Sequence, residues 1–294
     1  MSIVNDGDYA YSKISSSAML VDVSLSVWTG RKLDKQVSSE IDSAKHTKSR
    51  AGNYHKNLLA GSAKLAEIGK IASAVRNWSY SQTSPWSDAG TRLLPATLFF
   101  DYKSKLTEYE KMFTQAVEDF IAEYETLVAS AAFQLGDLFN REDYPDKEKV
   151  MRKFGFYHTF SPVPEVGDFR VDIGEAGMAE LKSNYETAYK TKIESAMKDA
   201  WTRLHEVMTS ISERLDYGDD QTKKIFRDSL VENAVQLCSL LKHLNITGDT
   251  VMENMRRELE KQLIGISAQD LREDEGLRIE TKKKVDEMLG KFAF

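Results

Sequence analysis

Between Asp101 and Asn140, apolar residues recur at steps of three and four, which is the pattern of one long amphipathic helix. About 40 residues at about 1.5 Å each would extend roughly 60 Å. A helix of that length needs an equally long apolar surface beside it, and the same pattern recurs from Glu175 to Leu215. The sequence therefore predicts an antiparallel pair of long helices.

Strands are predicted at two places, where apolar residues alternate with polar ones. Residues 21–27 form the first of these segments and residues 169–173 the second. Because neither segment has another obvious partner in the sequence, we expect the two strands to pair with each other. The fold class that follows is mainly α: a long antiparallel helical hairpin or bundle with a small two-stranded β element.

The remaining segments follow from periodicity and from turn residues. Residues 31–78 are predicted to be helical with a turn near residue 52, and residues 77–95 are predicted to be a loop. The predicted organisation is a flexible leader at 1–17, a helical body at 18–250 with a β-containing excursion at 141–174, and C-terminal helices at 251–294.

Composition narrows the function classes. The 294 residues are 41% hydrophobic and 29% charged, which suffices for a sizeable core and argues against wholesale disorder. The net charge of -6 argues against a dedicated nucleic-acid coat protein. The chain shows neither a signal peptide nor an apolar run of about 18 residues, so we expect a cytoplasmic protein without a membrane partner. Cys238 is the single cysteine, and it is predicted to be a buried structural thiol.

Catalytic and metal-binding motifs are not found. The stretch from Gly61 to Lys70 has the wrong spacing for a phosphate-binding loop, and residues 217–220 lack the flanking strands of a polymerase-type acidic hairpin. The five histidines show no zinc-ligand spacing. We therefore predict neither catalytic residues, nor a metal, nor a cofactor, and we do not expect an enzyme.

Two segments are candidates for binding. The first is basic and could attract phosphate backbones or an acidic protein: Arg31, Lys32, Lys35, Lys45, Lys48, Arg50 and Lys56. Its alternative role is an ordinary charged face neutralised by the acidic long helix, in the same chain or in a neighbouring subunit. The second is aromatic and could stack on bases or contact a partner: Phe156, Tyr157 and Phe160. Its alternative role is to cap the helical core.

Three short motifs carry a resemblance to a known family: residues 27–32 (VWTGRK), residues 143–145 (DYP), and residues 162–164 (PVP) together with 168–171 (DFRV). Over roughly residues 19–250 the chain resembles an uncharacterised helical protein family of tailed phages and bacterial mobile elements. The resemblance implies no catalytic residue. Genes of that family often lie near a MoxR-type AAA+ ATPase and a von Willebrand A-type protein, which implies a helical adaptor or substrate of such a machine.

Two functional hypotheses follow. The first is a non-enzymatic, phage-encoded adaptor that forms homo-oligomers, for which coiled-coil-like apolar stripes are suited, and that engages another protein. The alternative is a single-stranded nucleic-acid-binding protein that uses the basic segment 31–56. An enzyme with a composite carboxylate site is the least favoured hypothesis.

Overall fold

The computed structural model describes residues 14–165, 174–217 and 229–291. It is 69% helical, which confirms the mainly α prediction. The chain divides into two compact units. Unit 1 is drawn from Met1–Asp22, Tyr80–Phe100 and Thr159–Phe294, and unit 2 from Val23–Ser79 and Asp101–His158.

Among the described residues, strands and helices are mixed up to Pro162, and only helices follow. The strands are β1 (Ala18–Ser26), β2 (Arg31–Leu33), β3 (His55–Asn57), β4 (Ser84–Pro85), β5 (Arg92–Pro95) and β6 (Gly155–Pro162). The helices are α1 (Lys35–Ala44), α2 (Ala63–Gln82), α3 (Phe99–Leu135), α4 (Lys147–Met151), α5 (Gly174–Leu215), α6 (Ser229–Leu244), α7 (Thr250–Leu263), α8 (Ala268–Glu273) and α9 (Glu275–Leu289).

The core of unit 1 forms around α5. Its buried residues recur at helical spacing from Tyr189 to Leu215, as predicted. Its main helical partners are α9 and α6. The α9 helix runs antiparallel to α5, since Ser212 hydrogen-bonds Asp286 while Lys282 lies near Asp216. Within unit 1, these shorter helices cover part of the apolar stripe of α5, because a stripe shows which face is buried and not what covers it. The expected pairing of α5 with α3 stays a prediction.

Strand β1 confirms the strand predicted at residues 21–27. Among the described residues, its neighbours in the sheet are β5 and β6. The four-stranded sheet has the order β4-β5-β1-β6, with β5 antiparallel to β1 and Met19 opposite Leu94. The predicted partner, residues 169–173, lies outside the described residues. Residues 14–17, assigned to the leader from sequence, are helical, and Ile14 is buried in the core of unit 1.

The α2 helix extends to Gln82, into the segment predicted to be a loop. Two arginines of unit 1 hold its carboxyl end. The Arg203 guanidinium donates to the carbonyls of Tyr80, Ser81 and Thr83, and Arg92 donates to those of Tyr80 and Thr83. Cations at this end satisfy carbonyls that lack helical partners and oppose the helix dipole.

Unit 2 is built on α3, whose buried stripe follows the predicted periodicity from Tyr102 to Ala131. Trp28 packs against Phe120 and Tyr124 of this helix, with ring centroids 6.3 and 6.0 Å away. Trp78 of α2 stacks on Tyr102 at 4.6 Å. None of the helices in the described ranges is both long enough and apolar enough to cross a lipid bilayer.

Candidate interaction site in unit 2

The basic segment folds into two short antiparallel strands, β2 and β3, with α1 and an exposed loop between them. The register sets Lys32 directly opposite Lys56. Like charges in that position repel each other. The carboxylate of Asp143 resolves the repulsion, because its Oδ1 lies 2.6 Å from Lys32 Nζ and its Oδ2 lies 2.6 Å from Lys56 Nζ. We call Lys32, Asp34, Lys56 and Asp143 the Asp143 cluster.

The centre of the Asp143 cluster is buried. The side chains of Lys56 and Asp143 are 8% and 7% exposed. Lys56 Nζ also lies 3.2 Å from Asp34 Oδ2 and donates to the Leu138 carbonyl at 2.9 Å. Three oxygen partners thus surround one ammonium group, which is the condition under which a buried cation is tolerated.

The ionisation of the cluster follows from these contacts. Burial alone would raise the pKa of Asp143, but the hydrogen bonds from Lys32 and Lys56 outweigh it and the pKa is lowered. Burial would lower the pKa of Lys56, yet its bonds to Asp143 and Asp34 raise it. The pKa of Asp34 is lowered, chiefly by the backbone N–H of Val37, which it accepts as the N-cap of α1. These pKa shifts favour the charged forms of Asp34, Lys56 and Asp143 at neutral pH.

The Asp143 cluster is structural. It ties together β2, β3, the start of α1 and the segment around residues 138–143, and it neutralises two of the cations assigned to a binding surface. Lys56 is buried and Lys32 is held by Asp143, so neither is available to a ligand as a free cation. Sequence reasoning missed Asp143 as their partner. No pattern in the sequence indicated this partner, because Asp143 lies far from both lysines along the chain.

Two tyrosines fasten the same region to α3. Tyr144 donates its hydroxyl to the Leu58 carbonyl at 2.7 Å, and Tyr124 of α3 donates to the Pro145 carbonyl at 2.8 Å. Burial raises the pKa of Tyr124 to about 12 and also raises that of Tyr144. Both phenols therefore remain protonated donors, and they fix the position of the basic segment within unit 2.

Outside the Asp143 cluster, five cations of the segment are exposed: Arg31, Lys35, Lys45, Lys48 and Arg50. We call them the basic lobe. None of them forms an ion pair with a residue in the described ranges. The Ala51 N–H donates to Asp42 Oδ1 at 3.1 Å and so closes the loop that follows α1. Ile41 of α1, 47% exposed, adds an apolar side chain to this surface.

The second half of α3 has the opposite charge. Residues 112–140 contain no Lys or Arg, and four acids are exposed on two successive turns: Glu118, Asp119, Glu123 and Glu125. We call these the acidic face. Glu123 pairs with Lys64 at 3.1 Å, and Glu125 lies 3.9 Å from Arg141. Within the described part of the chain, Glu118 and Asp119 have no cationic partner. Phe133, farther along α3, is 92% exposed.

The basic lobe and the acidic face do not neutralise each other within the chain. No ion pair among the described residues joins the two sets, although both belong to unit 2. The alternative interpretation of the basic segment, that the acidic long helix neutralises it, therefore does not describe contacts in this chain. The structure leaves two exposed surfaces of opposite charge.

Of the three aromatic candidates, two pack against other rings and one is exposed. Phe156 makes an edge contact with Phe113 of α3, with centroids 5.9 Å apart. Phe160 makes a similar contact with Phe99 at 5.2 Å. Tyr157 between them is 64% exposed. The alternative role of core packing thus fits Phe156 and Phe160, and Tyr157 is the member available to a partner.

Among the described residues there is no cluster of three or more His, Cys, Asp or Glu side chains arranged to hold a metal ion. Comparison of the chain with protein-family models, with curated proteins and with solved structures found no match.

Proposed function

We propose that this chain is a non-enzymatic interaction protein that forms homo-oligomers and engages a further protein as an adaptor. The observation that supports the proposal is the pair of exposed, oppositely charged surfaces on unit 2. The Asp143 cluster holds the segment that carries the basic lobe, and the acidic face lies on α3. The helices α1 and α3 also each expose an apolar side chain, Ile41 on α1 and Phe133 on α3. Charged rims around apolar anchors are the composition of protein–protein contact surfaces.

The resemblance to the phage and mobile-element family suggests the class of the further partner. A MoxR-type AAA+ ATPase is the partner proposed for the adaptor role. The test mixes the purified chain with such an ATPase. Calorimetry measures binding, and the rate of ATP hydrolysis is measured with and without the chain. A defined complex or an altered rate supports the adaptor role, and the absence of both removes this partner.

The oligomer is tested by the absolute mass in solution, measured by light scattering at low and at moderate salt. We expect a mass above that of one 33.3 kDa chain. A mass of one chain at every protein and salt concentration would contradict the homo-oligomer.

A second candidate function is single-stranded nucleic-acid binding, which the five unpaired cations of the basic lobe favour. Neutralising Lys45, Lys48 and Arg50 should then abolish binding of a single-stranded DNA oligonucleotide. With five phosphate contacts, the logarithm of the affinity should fall with the logarithm of the salt concentration at a slope of about 3 to 4. A matched control neutralises three exposed lysines of α5 (Lys182, Lys190 and Lys198). Equal loss in both variants would indicate net charge alone and exclude the basic lobe as a binding site.

A further inference from the structure

The basic lobe and the acidic face carry charges that the described chain does not match internally, and both are held in place. The lobe is anchored by Lys56, which is bonded to Asp143, Asp34 and the Leu138 carbonyl. The acidic face lies on a helix whose opposite side is buried in unit 2. A rearrangement that brought the two surfaces together within one chain would have to break these buried contacts.

We infer that the occupant of the acidic face is the basic lobe of a second copy of this chain. The inference rests on the proposed homo-oligomer and names the surfaces that form it. The contact is heterologous, because one copy contributes the lobe and the other contributes α3. After this contact, one copy retains a free acidic face and the other a free basic lobe, so that further copies add until a ring closes or a filament grows.

Charge complementarity is the argument for a second copy as the occupant. The lobe offers five cations and the acidic face four carboxylates, two of which, Glu118 and Asp119, have no cation within the described residues. Such surfaces accelerate encounter and fix orientation. Exposed apolar side chains, Ile41 beside the cations and Phe133 on the acidic helix, supply area that loses water on contact. Because screening acts over about 8 Å at physiological salt, the contact should weaken as salt rises.

Reversal of charge on each surface tests the inference. The lobe variant carries Lys45→Glu, Lys48→Glu and Arg50→Glu. In sedimentation at low salt, we expect its apparent dissociation constant for self-association to rise about tenfold or more, because both contacting surfaces are then negative.

The face variant carries Glu118→Lys, Asp119→Lys and Glu125→Lys, and leaves the Glu123 pair with Lys64 intact. It should lose self-association to the same extent. A mixture of the lobe variant and the face variant should associate again, because the reversed lobe of one meets the reversed face of the other. A chain that carries all six changes should also self-associate.

The control variant has the same charge change as the lobe variant, made on α5 by Lys182→Glu, Lys190→Glu and Lys198→Glu. It should associate as the unmodified chain does. Circular dichroism of every variant shows whether it remains folded, and a folded variant that stays monomeric alone but associates in the mixture reports on the contact itself.

The outcomes separate this inference from the proposed function. If the unmodified chain is an oligomer and both reversed variants keep its mass, the oligomer stands and these surfaces do not form it. If the unmodified chain is a monomer, both proposals fail. If the lobe variant loses only the binding of single-stranded DNA while its mass is unchanged, the lobe is a nucleic-acid surface and the inference is overturned.

Discussion

Replacement of Asp143 by Asn tests whether the Asp143 cluster stabilises unit 2. The substitution keeps the size of the side chain but removes the charge that separates Lys32 from Lys56. Lys56 would remain buried with Asp34 and the Leu138 carbonyl as partners. The Asn amide group would also direct N–H bonds toward one of the two ammonium groups.

The magnitude follows from the burial of each pair. Complete loss of the partner of a buried charge costs about 3 to 5 kcal/mol, and because Lys56 keeps two of three partners its share should be about 2 kcal/mol. The pair with Lys32, whose side chain is 48% exposed, should add at most about 1 kcal/mol. We therefore expect Asp143→Asn to reduce the free energy of unfolding by about 2 to 3 kcal/mol.

The assay is urea unfolding combined with amide hydrogen exchange of peptides from residues 31–57. The control is Asp146→Asn, which removes a pair with Lys149 in which both side chains are largely exposed. That control should leave stability almost unchanged, because water screens an exposed pair. The double variant Asp143→Asn with Lys56→Met should be more stable than the sum of the single changes predicts, since it leaves no buried unpaired charge.

The pH dependence gives an independent check. The pKa of Asp143 is lower in the folded protein than its ordinary value of 3.8. The stabilisation by its carboxylate is therefore complete above about pH 4 and is lost as the pH falls through the folded pKa. The stability difference between the unmodified chain and Asp143→Asn should be constant from about pH 5 to 8 and should shrink below about pH 4. Unfolding midpoints equal to those of Asp146→Asn, with unchanged exchange at residues 31–57, would refute this explanation.

Two predictions concern the helices of unit 1. The hydrogen bond from buried Arg256 lowers the pKa of Glu253 to about 2. In thermal unfolding, Glu253→Gln should therefore cost about 2 kcal/mol above about pH 4.5, a loss that disappears toward pH 2. Glu280→Gln, at an exposed pair with Lys284, should leave stability almost unchanged in the same experiment. Burial raises the pKa of the Cys238 thiol to about 11, so a maleimide at pH 8 should label it only in urea; rapid labelling of the native chain would show that this thiol is accessible.

The sequence was sufficient to predict elements in which the periodic pattern extends over many residues. The buried stripes of α3 and α5 were predicted because apolar residues recur along many turns, and β1 because alternation extends over its length. Their neighbours were not predictable, since periodicity defines a buried face and contains no information on what covers it. The strands β2, β3 and β5 have only three or four residues each, which is too short for alternation to be distinguished from chance.

The sequence was sufficient to predict which residues form the basic segment, but not which of them pair with carboxylates. Counting charges located the basic segment, of which Lys45, Lys48 and Arg50 are exposed; their role in binding stays a prediction. The separation of Lys56 from them depends on the β2–β3 register and on a carboxylate far away in the sequence, Asp143. A single sequence shows neither of these relations. The homo-oligomer and the adaptor role stay predictions.

The division of the chain into two units also sets an order for its folding during synthesis. A ribosome makes the chain from its amino end at about 5–20 residues per second. Every residue of unit 2 up to His158 is made before α5 begins, and the α9 segment that packs along α5 follows more than a hundred residues later. Unit 2 can therefore fold during translation while the residues of unit 1 that precede it, including the first half of β1, still lack their core.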